Sequence, residues 1–496
     1  MYQESWIEMP IDHFPNDTTY EPHTNETFHV RYWMDNTHFR PGGPVILLQG
    51  GETSGVNRLR TLHQGIVKIL IEATGGVGVL FEHRYYGKSL PTPDYSTKNL
   101  RFLTTDQAMA DMAYFAARIK EESPSVVGPV PIIAYGGSYG GGLAAFVRKA
   151  YPDLFWGAIS SSGVTEAIWD YWEYNEAPRI SGPKDCVEVT QQLTHFIDTI
   201  LITNSSTDLP HRLKTAFGLG NLTQAADFAS IVSNGIAGLQ SVNWDPALNS
   251  TSFGDYCAML TSPSLVYPST ARLRDEAHSL LTSAGHPAAL TTPLLNKIGY
   301  VNSKTSDCNT TIPGITQDSC FGASDPSFYA QDDLDQAGWR LFHYQECTEW
   351  GYFFTGSGVP TSQLPLVSRL LTLDYLSIVC REAFNISAPP RVERVNKFGG
   401  FNISFPRLAL VGGERDPWRA ATPHKIGLPK RKNTVDQPFI LIEGAVHHWD
   451  ENGVPDEQKG PGMPPGPVLA AQNSEVEFVK AWMAEWRTEQ ARHGGS

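Results

Sequence analysis

Between the apolar run Pro131–Tyr135 (PIIAY) and the helix-like run Gly142–Ala150 (GLAAFVRKA) stands Gly136-Gly137-Ser138-Tyr139-Gly140. A chain with 44 glycines in 496 residues produces roughly 0.3 G-x-S-x-G matches by chance, so the pattern alone decides little. Its setting decides more. A buried strand, a Gly-bounded turn and a helix are the three parts of a nucleophile elbow, which lifts the serine hydroxyl above the end of a sheet. Such a turn holds the serine in a strained backbone conformation, and the flanking glycines let strand and helix approach closely. Ser138 is therefore the candidate nucleophile, and the backbone N–H of Tyr139 a candidate oxyanion donor.

A serine hydroxyl needs a base to take its proton and an acid to orient that base. On this architecture both partners follow the serine, in the order acid then histidine, on loops after late strands. LALVGGERDPW places Asp416 five residues beyond Val411, and FILIEGAVHHWD places His447 five residues beyond Ile442. His448 competes with His447, since two adjacent side chains cannot both face Ser138. The second oxyanion donor is expected after an early strand, in Gln49-Gly50-Gly51-Glu52, from the N–H of Gly51 or Glu52.

Strand and helix signals alternate around the elbow. Pro44–Gln49, Val77–Phe81, Pro131–Tyr135 and Gly157–Ser161 read as strands, and Arg60–Ala73, Thr104–Lys120 and Leu143–Ala150 as helices. That alternation predicts a parallel sheet wrapped by helices. From about residue 166 to 394 the pattern turns helix- and loop-like. Strands resume at Leu408–Val411 and Phe439–Ile442, and a last helix is expected from about Ser474 to Arg492. The fold class is thus α/β, an α/β-hydrolase fold with a large, mainly helical cap. The division is 1–165 and 395–496 for the sheet domain and 166–394 for the insertion, a size within reach of a chain this long.

All six cysteines, at 186, 257, 308, 320, 347 and 380, fall inside that insertion, and none forms a CxxC pair. Three disulfides are expected, Cys186–Cys257, Cys308–Cys320 and Cys347–Cys380, one of about 15 connectivities six cysteines allow. Eight N-x-S/T sequons, at Asn16, Asn25, Asn204, Asn221, Asn249, Asn309, Asn385 and Asn402, favour the secretory route. No apolar signal segment occupies Met1–Tyr20, which reads as a mature chain, and no apolar run is long enough to span a bilayer. A net charge of -14 argues against nucleic acid as a partner, because phosphate binding needs a basic face. No spaced ligand set suggests a metal, and no GxGxxG follows a strand, so no cofactor is expected.

The chain resembles the family of lysosomal Pro-Xaa carboxypeptidase and dipeptidyl peptidase II, which also takes in thymus-specific-serine-protease-like and fungal members. The likeness is carried by Asp12–Phe14 with Arg31–Trp33 (DHF…RYW), Glu82–Pro91 (EHRYYGKSLP), Leu100–Phe115, the elbow through Gly163, Tyr344–Gly356, Gly413–Trp418 (GERDPW) and Glu443–Asp450 (EGAVHHWD). That resemblance implies cleavage of peptides after proline by Ser138, Asp416 and His447, with Trp418 as a wall of the proline pocket. It also implies a secreted or lysosomal (vacuolar) location. Two departures stand near the site: His448-Trp449-Asp450-Glu451-Asn452 where better-known members read HLDLR, and Gly142 where some carry a larger side chain.

Peptides are the expected substrates, and a homodimer is left open. An esterase or lipase, or a non-catalytic binding protein on the same fold, are the competing readings. Trimming from the amino end requires a carboxylate for the substrate ammonium, for which Glu52, Glu346 and Glu349 are candidates. The substrate-binding candidates are then Trp418, Glu52, Glu349 and His448. Carboxyl-end trimming needs a cation instead, which the sequence does not place.

Overall fold

The structure, a computed structural model, describes residues 2–122, 126 and 128–493. Its central sheet has eight strands, β1 (Ser5–Pro10), β2 (Thr27–Asp35), β3 (Val45–Gln49), β4 (Val77–Phe81), β5 (Ile132–Gly137), β6 (Phe155–Ser161), β9 (Leu408–Gly413) and β10 (Phe439–Ile442). They lie in the order β1-β2-β4-β3-β5-β6-β9-β10. The strands from β4 to β10 run parallel, and β1 and β2 add an antiparallel edge. β3, β4 and β5 are buried along their whole length, as parallel strands covered on both faces must be. The remaining strands, β7 (Ile168–Asp170) and β8 (Gly351–Phe353), pair only with each other.

The helices that matter to the site are α1 (Ile66–Thr74), α2 (Thr105–Glu122), α3 (Ser138–Ala150), α4 (Glu173–Ser181) and α5 (Gly466–His493). One face of the sheet packs on α1 and α5 through Leu70, Ile71, Phe478 and Trp482. The other packs on α2 and α3 through Met112, Phe115, Leu143 and Phe146. Each such side chain, fully buried, contributes about 1.5–3 kcal/mol before entropy is counted. Between β6 and β9 a second core forms from helices including Lys184–Asp198, Ser252–Leu260, Arg274–Ser283 and Thr291–Thr305, around Phe196, Phe228, Tyr256, Leu280 and Ile298. All three disulfides fall in the chain between β6 and β9: Cys186–Cys257 in this second core, Cys347–Cys380 in the core shared with α2 and α3, and Cys308–Cys320 outside both.

Some boundaries differ from the sequence expectation for local reasons. The helix expected over Arg60–Ala73 is broken after His63. A Cβ at Gly65 would lie 2.5 Å from the Glu451 carbonyl oxygen, so a crossing chain segment interrupts the helix there. α3 begins at Ser138 rather than Leu143, its glycine-rich first turn having masked the helical period. α5 begins at Gly466, eight residues before the expected Ser474.

Candidate active site

The elbow joins β5 directly to α3, with Ser138 as the first helical residue at φ 58°. A Cβ on Gly136 would fall 2.0 Å from the Gly140 carbonyl oxygen, so only glycine lets the strand end meet the helix. Gly142 is equally constrained: a Cβ there would lie 2.3 Å from the Val164 carbonyl oxygen. Any larger side chain there would therefore need the 163–164 turn to move.

Ser138 Oγ lies 2.8 Å from His447 Nε2, and His447 Nδ1 lies 2.9 Å from Asp416 Oδ2. All three residues are buried. Asp416 sits three residues past β9, where its other oxygen accepts the Trp418 N–H at 2.9 Å. Burial pushes the Asp416 carboxyl pKa up, but His447, the Ser162 hydroxyl and the Trp418 N–H outweigh it and hold the group below its ordinary value. Asp416 is thus an anion that accepts from Nδ1–H, which leaves Nε2 with a lone pair toward the serine hydroxyl. Ser162 was not foreseen. It follows β6 at φ 42°, accepts the His448 N–H at 2.9 Å and supports Asp416. The run of small residues after β6 was its only sequence signal.

His448 does not reach the serine. Its backbone is left-handed, at φ 36°, and its Nδ1 lies 3.0 Å from Glu451 Oε2. Glu451 also receives Arg58 Nη1 at 2.7 Å. Burial would raise the Glu451 carboxyl, yet Arg58 and His448 bring it down to about 2. The second imidazole is therefore held beside a permanent carboxylate, 4.4 Å from the first ring.

The oxyanion side needs one correction. Gly51 donates its N–H to Gln49 Oε1 within its own loop, so it has no donor to spare. The Glu52 and Tyr139 N–H groups remain candidates, Tyr139 because an N–H in the first turn of a helix has no intrahelical acceptor. A Cβ on Gly140 would lie 3.5 Å from Gly51 Cα, so the 50–52 loop packs against the elbow. Glu52 Oε2 is buried without a partner among the described residues. Tyr139 carries its side chain away from Ser138: His83 Nε2 lies 3.0 Å from its hydroxyl and Gln345 Nε2 donates to it at 2.8 Å. Burial lowers the His83 pKa to about 4, so this imidazole is neutral.

Glu349 sits under the start of α2. Its Oε2 accepts both the N–H and the hydroxyl of Thr105, at 2.9 and 3.0 Å, which caps that helix. Its Oε1 is buried without a hydrogen-bond partner among the described residues and lies 3.6 Å from Arg394 Nε, so a cation of the protein already faces this carboxylate. Glu346 is paired with His343 Nδ1 at 2.6 Å.

Trp418 is buried beside the His447 ring, centroids 6.4 Å apart. Tyr171, Tyr174, Tyr352 and Phe354 surround it at 5.5, 5.3, 4.9 and 5.5 Å. Gln240 Oε1 accepts from both the Trp418 indole N–H and the Tyr174 hydroxyl, at 2.9 and 2.6 Å. This aromatic box draws on α4, β8 and the Asp416 loop, segments far apart in the chain.

Beneath the histidines lies a second acidic group. Asp450 accepts from Tyr135 and Ser161 at 2.9 and 2.7 Å. Glu475, fully buried on α5, has neither oxygen matched to a donor among the described residues. Burial, then the neighbouring Asp450 charge, raises the Glu475 pKa well above its ordinary value, so the folded protein holds a proton that the unfolded chain releases above about pH 4.5. A raised carboxyl pKa stabilises most below the unfolded value and loses that contribution as pH rises through the folded one. Glu475→Gln is accordingly expected to change thermal stability little at pH 4 and to raise it at pH 8, the gap widening with pH in thermal melts. A gap that is constant across that range would contradict the assignment.

Compared with known proteins, residues 10–460 match the model of a family described as Serine carboxypeptidase S28. The chain is 48% identical over 484 residues to a protein of Arthroderma benhamiae named "Probable extracellular serine carboxypeptidase", covering 96% of this chain and 67% of that one. It is 27% identical to the human lysosomal Pro-X carboxypeptidase, covering 98% and 89%. With the mouse thymus-specific serine protease it shares 26% identity, over 90% and 82% of the two chains.

Proposed function

The chain belongs to the serine carboxypeptidase S28 family of serine peptidases, and from that premise we propose that it cleaves peptide bonds after proline, from the carboxyl end, through Ser138. The observation that carries the reading is the unbroken series Ser138–His447–Asp416 at 2.8 and 2.9 Å. Ser138 Oγ attacks the carbonyl carbon of the proline while its proton passes to His447 Nε2. Asp416 holds His447 in the required tautomer and stabilises the imidazolium. The Tyr139 and Glu52 N–H groups receive the developing oxyanion. When the C–N bond breaks, His447 returns the proton to the leaving amine. A water, deprotonated by the same imidazole, then attacks the acyl carbon; the bond to Ser138 Oγ breaks, the imidazolium returns its proton to Oγ, and the peptide leaves with proline at its new carboxyl end.

Trp418 and its aromatic neighbours support proline ahead of the scissile bond. Proline has a compact ring, a fixed φ and no N–H, so a flat apolar wall selects it without supplying an acceptor. The side chain offered to a substrate carboxylate is His448, held beside the triad with its Nδ1 3.0 Å from Glu451 Oε2. The segment 166–394 serves as the cap over Ser138. Of the eight sequon asparagines, seven are exposed and Asn204 is half-buried, consistent with a glycosylated protein that is secreted or lysosomal. The buried, unpartnered Glu52 Oε2 favours a second reading, in which it holds a substrate ammonium and the enzyme removes dipeptides from the amino end.

Matched peptides with Pro or Ala before the scissile bond, each blocked at one end, test both readings by mass spectrometry. Proline is expected to be preferred by about 1–3 kcal/mol in kcat/KM, and amidation of the carboxyl end to abolish turnover. Trp418→Ala should erode the proline preference more than it slows a small activated ester. Equal kcat/KM for the Pro and Ala peptides would refute proline selection, and turnover only of peptides with a free amino end would favour the second reading.

A further inference from the structure

We propose that the cavity between α4 and the 414–426 segment is a second binding site, for a carboxylate carried on a compact apolar body, with Arg415 as its anchor. The cavity holds about 220 Å³ and is distinct from the aromatic box: neither Ser138, His447 nor Trp418 lines it. Trp172, Ala177, Ile180, Pro417, Ala420 and Ile426 give it an apolar wall. Ile180 and Ile426, at 69% and 56% exposure, leave large aliphatic groups open to solvent. The volume falls below the roughly 300–1,000 Å³ of drug-sized pockets, which limits the occupant to a body about the size of an amino-acid derivative.

The charges around the cavity fix the sign of that occupant. Each carboxylate on its wall is already engaged. Glu176 takes Arg179, the Leu366 N–H and Gln363; Glu173 takes Lys425 at 3.0 Å; Glu414 takes the Gly444 N–H at 2.9 Å; Asp416 takes His447. Arg415 has no such partner. One Nη2 hydrogen bond to the Ser181 carbonyl, at 2.8 Å, orients its guanidinium, and its Nε is buried with no acceptor among the described residues. An orphaned buried donor on a cation is costly unless an acceptor arrives. A carboxylate supplies one with the matching charge, and the adjoining aliphatic wall takes the body that carries it.

N-acetyl-L-leucine is a suitable probe, and N-acetyl-L-leucinamide its uncharged control. Both are titrated calorimetrically into the wild-type enzyme, free and after a fluorophosphonate has esterified Ser138 to fill the catalytic centre. The acid is expected to bind both forms alike, and the amide roughly tenfold more weakly. Arg415→Gln should weaken the acid by a similar factor. Should that variant fold poorly, Ile180→Glu, at an exposed position, sets a negative charge beside the same cavity and is expected to weaken the acid several-fold without touching Arg415. Loss of binding on esterification would assign the acid to the catalytic centre and overturn the proposal. Equal affinity for acid and amide, or unchanged affinity in both variants, would do the same.

Discussion

Asp416→Asn is expected to lower kcat about 10⁴-fold while the protein remains folded. The carboxylate accepts from His447 Nδ1 at 2.9 Å and from the Trp418 N–H at 2.9 Å. An asparagine keeps one acceptor oxygen for the Trp418 N–H, and its amide then presents donors toward Nδ1. The imidazole must move its proton to Nε2, and the atom 2.8 Å from Ser138 Oγ turns from acceptor to donor. Ser138→Ala should abolish acyl-enzyme formation outright, and His447→Ala should cost nearly as much. His448→Ala should cost distinctly less, because that ring faces Glu451 rather than the serine. Steady-state rates on a proline peptide, with melting temperatures beside them, check the series. A His448 variant more impaired than the His447 variant would reverse the assignment of the base.

The elbow and the two late loops were legible because each depends on short-range sequence. An apolar run, a glycine-bounded serine and a helix are contiguous, and Asp416 and His447 each follow a strand within a few residues. Side-chain conformation and distant partners leave no such signal. Gly51 looked like an oxyanion donor because nothing local reveals that the Gln49 side chain curls back to take its N–H. Glu349 looked available because its acceptor role toward Thr105 spans 244 positions. β1 and β2 carried no clear strand signal because their runs include charged residues. Arg31 on β2 is buried because Glu82 receives it at 2.6 and 3.1 Å, with Glu4 and Ser54 taking further bonds at 2.9 and 3.1 Å. The aromatic box was foreseen only through Trp418, since its other walls come from segments brought together by the cap.

The same logic makes Asp111→Ala the most destabilising single change expected in the sheet domain. Arg84, from the EHRYYGKSLP motif, is fully buried and meets Asp111 through two parallel bonds, Nε to Oδ2 at 2.6 Å and Nη2 to Oδ1 at 2.7 Å. Its Nη1 donates to the carbonyls of Ile11 and Phe102, at 2.9 and 3.0 Å. One guanidinium therefore ties the end of the antiparallel edge, the loop after β4 and helix α2 to each other. Burial acts to raise the Asp111 pKa, but Arg84 and then His13 overcome it and leave the carboxyl lowered. Removing the carboxylate strands a desolvated cation, a change that costs about 3–5 kcal/mol where buried pairs are broken from one side. Asp111→Asn keeps the shape and one acceptor but not the charge, so it should fall between the parent and the alanine variant. Denaturant melts at neutral pH should show that order. The parent should lose its advantage as acid protonates Asp111: a lowered carboxyl pKa contributes above the unfolded value and fades as pH falls through the folded one. An alanine variant within 1 kcal/mol (about a fivefold change in the folding equilibrium) of the parent at neutral pH would show that the pair is dispensable to the fold.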